Sequence, residues 1–463
     1  MELLAPAGGM EQLRAAVLFG ADAVYLAADR FGMRARAANF AMKEIPAAVA
    51  FAHEHGVKVH VTCNILMHAD DIDALPDYFR ALDAAGVDAF IIGDLGAFAV
   101  AGEVAPRVER HVSTQASVAN AAAARVWHSL GAKRVVCARE MSLDDIRRLR
   151  QDAPPDLEIE AFAHGAMCMA VSGRCLISSY LTGRSGNKGH CTQPCRWSYQ
   201  LGTAGERVVS KPTVVQEVLE LGERSSAGIL EPVEFLLEEE KRPGEFFPIE
   251  EDDRGTFIMN AKDMNMLPHL RALADAGVDS IKIEGRNKKA FYVASVVGAY
   301  RRVLDGEDPA VVADELLAVS HRPYGTGFYF SEAEQAPAYD GYEQETMHVA
   351  DVVGADPSHL YALCRNRFAE GEELEILVPG APARSIAVHD LHWLPLYGPD
   401  NREPDAPATP EEALDRATAA DWVPAGCANR SCNLYRIDAP KGDIVPAGSF
   451  LRIRTFRRSA RHE

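Results

Sequence analysis

No stretch of this chain approaches the ~18 uninterrupted apolar residues that a membrane helix needs. The most apolar region, Phe90 to Val104, is broken by Asp94 and Glu103. The opening Met1-Glu2-Leu3-Leu4-Ala5-Pro6 lacks the basic and apolar segments of a secretion signal. A cytoplasmic protein is therefore expected, with its nine cysteines kept reduced. An excess of positive charge is also missing. The 48 Lys and Arg against 67 Asp and Glu leave −19, which excludes a protein that coats nucleic acid by bulk charge. Neither His-Glu-x-x-His nor Gly-x-Ser-x-Gly occurs, so two common hydrolase sites are absent. No Gly-x-Gly-x-x-Gly follows the first strand, which argues against a doubly wound dinucleotide fold.

What is present is a repeat. A glycine ends an amphipathic segment, and a β-branched run follows after one or two residues. It occurs at Gly20, Gly56, Gly86, Gly131 and Gly277. Glycine is favoured just past a helix because it accepts the left-handed conformation. Eight strands are predicted: Leu3–Ala7, Ala23–Ala28, Lys58–Asn64, Ala89–Asp94, Arg110–Gln115, Arg134–Arg139, Glu158–His164 and Ser280–Gly285. Eight βα units close a TIM-like (β/α)8 barrel, an α/β fold. The barrel is expected over 1–305, with an insertion at 166–255 after the seventh strand. It resumes at Thr256–Asn260, followed by a helix from about Asp263. A linker at 306–345 leads to a small β-barrel-like domain at 346–457, where short strand-like runs alternate with Gly and Pro. A basic tail occupies 458–463.

Charge is unevenly spread. Glu217 to Asp253 holds thirteen acids against three bases, while Ala161 to Gly205 has no acid and carries Arg174, Arg184, Lys188 and Arg196. An acidic protein can thus still offer a local positive surface to an anion. The acid-free stretch also contains Cys168, Cys175, Cys191 and Cys195. Four thiolates in 28 residues suit an iron–sulfur cluster or zinc. The wide first gap and the flanking glycines favour the larger cluster. Cys63, Cys137 and Cys364 read as buried packing residues, and Cys427 and Cys432 receive no role.

The segment Glu160-x-Phe162-x-x-Gly165-Ala166-Met167-Cys168, followed by Gly173-x-Cys175-x-Ile177-Ser178, resembles the signature of the collagenase-like U32 peptidase family. Leu4-Ala5-Pro6-Ala7-Gly8, Arg139-Glu140, Cys191-x-x-x-Cys195-Arg196-Trp197 and Lys282-Ile283-Glu284-Gly285-Arg286 extend the likeness. The acidic insertion and Met259-Asn260-x-Lys262-Asp263 are similar to one branch of that family. The resemblance implies a 4Fe-4S protein that 5-hydroxylates the wobble uridine of tRNA, with prephenate as co-substrate. Peptidase activity, or an accessory iron–sulfur role in another hydroxylation pathway, are the alternatives.

A dicarboxylate such as prephenate calls for Arg in bidentate positions, and barrel sites form at the C-terminal ends of strands. Arg34, Arg36, Asn64, Gln115, Arg139 and Arg286 are expected there as substrate-binding residues. His164, Glu140 and Glu284 are the acid–base candidates. Arg184, Lys188, Arg196 and Trp197 offer charge and a stacking face to RNA.

Overall fold

The computed structural model describes residues 1–32, 39–65, 67–167, 170–171, 174–175, 199–203, 235–239, 246–252, 255–257, 261–331, 334, 342–394, 414–415, 421–431, 433–440 and 445–455. Contacts divide it into two compact units, one of residues 1–164, 266–321 and 343–463 and the other of 165–265 and 322–342.

The first unit contains the predicted barrel. Its elements are β1 (Glu2–Pro6), α1 (Met10–Leu18), β2 (Ala23–Leu26), α2 (Ile45–Glu54), β3 (Lys58–Cys63), α3 (Ala69–Ala84), β4 (Ala89–Ile92) and α4 (Leu95–Val104). They continue with β5 (Glu109–Val112), α5 (Ala121–Ser129), β6 (Arg134–Val136), α6 (Leu143–Asp152) and β7 (Glu158–Gly165). After the insertion come α7 (Leu270–Asp275), β8 (Ser280–Ile283) and α8 (Ala290–Leu304). Each strand pairs in parallel with the next, and β8 bridges β7 to β1, so the sheet closes. All five glycines of the repeat have positive φ, from +74° to +98°. They end the helices as the pattern requires.

The predicted return to the barrel is misplaced. Residues 255–257 form the last strand of an antiparallel sheet within the second unit, pairing with 246–252, which pairs in turn with 235–239. Asp263–Asn265 is a strand rather than a helix start. Helical structure begins instead at Leu267 in a 3-10 turn with Pro268 in its first positions, where a missing N–H costs nothing.

The C-terminal domain is an antiparallel curled sheet. Its main strands are β9 (Thr346–Ala355), β10 (His359–Cys364), β11 (Glu373–Leu377), β12 (Arg384–Ala387), β13 (His392–Leu394), β14 (Leu434–Asp438) and β15 (Phe450–Arg454). Their spatial order is β12-β11-β15-β9-β10-β14-β13, so the last strand lies inside the sheet. Arg452, which the sequence places in a basic C-terminal stretch, is buried. It donates to both Glu315 oxygens, at 2.6 and 3.2 Å, and to Glu375 at 2.8 Å. Glu315 belongs to a short helix at Asp314–Leu317, so this guanidinium ties the sheet to the helical layer. Phe450 packs beside Phe19, and His348 stacks on Phe291 at 5.0 Å. No described helix is long and apolar enough to cross a membrane.

Candidate active site

The barrel interior holds a small apolar cluster of Leu4, Ala23, Tyr25 and Ile91, but one of its layers is ionic rather than the branched apolar packing usual in this fold. Strand side chains alternate, so residues at period two share a face. On β7 that puts Glu158, Glu160 and Phe162 inside; on β8, Ser280 and Lys282. Glu160 is fully buried and accepts from Lys282 Nζ at 2.9 Å and Arg134 Nη1 at 3.0 Å. Arg134 also reaches Glu158 and both oxygens of Glu2. Burial pushes the Glu160 carboxyl up, but Lys282 and Arg134 outweigh it and hold it below the usual range. Glu2 is likewise penalised by burial, yet Arg134 holds it down at about 2. His60 and His111 complete this layer, edge to face at 4.8 Å. Burial and the nearby positive charge keep both well below the usual imidazole range, so they are neutral.

Above this layer stands the C-terminal rim. Arg139, just past β6, pairs with Glu284, just past β8, at 3.2 Å. Its guanidinium carbon lies 3.7 Å from the centroid of the Phe162 ring. Arg286 is 5% exposed and donates from Nη1 to Thr62 Oγ1 at 2.9 Å. The loop after β1 fits closely over it. A Cβ on Gly8 would come within 2.1 Å of the Arg286 carbonyl oxygen, so no other residue is accommodated without backbone movement. Asn64 and Gln115 flank Gly93, whose missing side chain leaves Gln115 Cβ 3.3 Å and the Asn64 carbonyl 3.7 Å from where a Cβ would be. Glu140 is half-buried in the turn after β6.

His164 is buried at the end of β7. Tyr300 donates its hydroxyl proton to the Ala163 carbonyl at 2.7 Å and accepts from the Met266 N–H at 3.2 Å. With that proton committed, the 3.3 Å contact from His164 Nδ1 to the Tyr300 oxygen is a donation by the imidazole. Burial, with help from His321 and Lys288, lowers His164 to about 3. Burial thus favours its neutral form.

The structure thus pairs Arg139 with Glu284 and sets Gln115 and the Asn64 backbone beside Gly93. Arg34 and Arg36 lie outside the described residues. So do Cys168, Cys191, Cys195, Arg184, Lys188, Arg196 and Trp197. Cys175 is described by its backbone alone, in a two-stranded ladder opposite Ala170. Cys63, Cys137 and Cys364 are buried in or beside strands. Phe162, Tyr300 and Lys282 were not read as site residues in the sequence. The signal was available for two of them, since charged and aromatic residues at period two in a predicted strand mark an occupied interior face.

Residues 8–338 match the model of peptidase family U32. The chain belongs to peptidase family U32. tRNA hydroxylation protein P of Escherichia coli K12 is 35% identical over 398 residues, covering 82% of this chain and 86% of that protein. tRNA hydroxylation protein P1 of Bacillus subtilis 168 is 36% identical over 396 residues, covering 82% and 83%. The 23S rRNA 5-hydroxycytidine C2501 synthase of E. coli is 33% identical over 394 residues, covering 82% of this chain and 52% of that protein. The segment that resembles the U32 signature starts on β7, where Glu160 and Phe162 face inward, and runs on in sequence into the insertion.

Proposed function

We propose that this protein 5-hydroxylates the wobble uridine of tRNA, with prephenate as co-substrate and an iron–sulfur cluster on Cys168, Cys175, Cys191 and Cys195. The observation that carries the reading is the identity of 35–36% to two tRNA hydroxylation proteins over four-fifths of each chain. A hydroxylating role on RNA is common to these relatives and to the rRNA 5-hydroxycytidine synthase.

The rim supports the finer chemistry. Arg139 and Arg286 stand at strand ends where barrel enzymes hold substrate, and each guanidinium suits a carboxylate. Asn64 and Gln115 carry side-chain amides, which pair with the edge of a pyrimidine. A wobble base is already unpaired, so little energy is spent in bringing it into a barrel mouth. His164, buried and held by Tyr300, and Glu284, paired with Arg139, remain the acid–base candidates beside them. The donor set of four thiols, with Arg174, Arg184, Lys188 and Arg196 to offset negative charge and no acid nearby, fits an iron–sulfur cluster. When bound, such a cluster supplies one-electron chemistry or a Lewis-acid site.

Nucleoside mass spectrometry of tRNA from a strain lacking the gene tests the proposal. Loss of 5-hydroxyuridine, restored by the intact gene, is expected. Unchanged 5-hydroxyuridine overturns it. In that case a brown anaerobic protein points to an accessory role, and a colourless protein that cleaves casein points to a peptidase.

A further inference from the structure

Two residues of the signature, Glu160 and Phe162, have no task in the reading above. They are neighbours at period two on β7. Glu160 is fully buried and holds Lys282 at 2.9 Å. Phe162 is one pleat nearer the mouth and 5% exposed. Two cations lie against its ring. The Arg139 guanidinium carbon is 3.7 Å from the centroid, and Lys282 Nζ is 5.8 Å away. Lys282 is drawn away from Phe162 by Glu160 and by Tyr25, whose ring centroid is 4.4 Å from Nζ. The ring therefore separates the ion network of the interior from the rim, and its close partner is Arg139.

A guanidinium anchored by one carboxylate keeps several rotamers. A flat aromatic surface beneath it removes most of them, because the π face attracts the cation and matches its plane. Glu284 then holds one edge at 3.2 Å. We propose that Phe162 is the positioning residue for Arg139, holding its guanidinium against the ring at the barrel rim so that an incoming carboxylate meets a preset receptor in place of Glu284. Glu160 assists by keeping the Lys282 ammonium below the ring. This rests on the carboxylate-binding role given to Arg139 above.

The test separates the aromatic face from mere packing. Phe162→Tyr keeps the face, while Phe162→Leu and Phe162→Met keep apolar bulk without it. In hydroxylation of unmodified tRNA by the intact protein, the Leu and Met variants raise KM for prephenate about tenfold, as loss of one cation–π contact implies. Their kcat stays within about twofold, and the Tyr variant tracks the wild type. Crystal structures of the variants give a readout that needs no co-substrate. The Arg139 guanidinium keeps its place in Phe162→Tyr and leaves it in Phe162→Leu or Phe162→Met. Equal KM values for the aromatic and aliphatic variants overturn the proposal, as does an unmoved Arg139. A wild type indifferent to prephenate overturns the co-substrate reading instead, and the Arg139 position then decides the role of Phe162.

Discussion

Glu160→Ala is expected to lower the unfolding free energy by about 3–5 kcal/mol, the range for removing one partner of a buried ion pair. The cause is what remains. Lys282 and Arg134 are 5% and 3% exposed and would be left with two positive charges facing a cavity. Arg134 would keep Glu2 and Glu158, whereas the carboxylate that Lys282 meets at 2.9 Å is Glu160 itself. Urea unfolding of the purified protein measures the loss. Adding Lys282→Met should recover part of it, because the stranded ammonium goes too. An unchanged midpoint for Glu160→Ala would show that the network contributes nothing. The same groups set the acid limb of stability. Glu2 and Glu160 have depressed folded-state values, so their contribution is complete above the ordinary carboxylate value of 4.5. It is lost as pH falls towards about 2, where folded Glu2 titrates. A Glu2→Gln variant should therefore show a flatter fall in stability between roughly pH 4.5 and 2.

The largest functional effect is expected from the cysteines. Cys168→Ala or Cys175→Ala should reduce 5-hydroxyuridine in tRNA to the level of the deletion strain. The anaerobically purified variants should lose the absorption near about 400 nm expected of an iron–sulfur protein. Far-ultraviolet circular dichroism should stay close to wild type, since the barrel is built from residues on either side of the insertion. Cys63→Ala is the matched control. Its thiol is buried on β3 and pushed far up by burial, so it is a packing group. Its loss should leave hydroxylation intact and cost about 1–2 kcal/mol. Normal hydroxylation by Cys168→Ala would remove the cluster from the proposal.

Much of the barrel was legible because its signals are local. Gly20, Gly56, Gly86, Gly131 and Gly277 mark helix ends, and the runs after them are short and β-branched. The return after the insertion was misread because Thr256-Phe257 has the composition of a barrel strand. Its antiparallel pairing with 246–252 is a tertiary choice that composition does not encode. The rim pair Arg139–Glu284 was partly legible, as both residues follow predicted strands. Their stacking partner was not. The inward face of Phe162 follows from period two on β7, but that Arg139, just past β6, stacks on it does not. Arg452 carries no sequence signal of its burial, yet it finds Glu315 and Glu375 across the fold.

The closure of the barrel has a consequence for synthesis. β1 pairs with β8, and the Glu2 and Ser280 side chains that meet there are 278 positions apart. A chain emerging from the ribosome must carry β1 through β7 as an open sheet, and then translate the whole insertion before its seam can be sewn. Such long-range closure is slow and leaves strand edges exposed meanwhile. Chaperone supply and translation speed across 166–279 should therefore govern the soluble yield of this protein more than its final stability does.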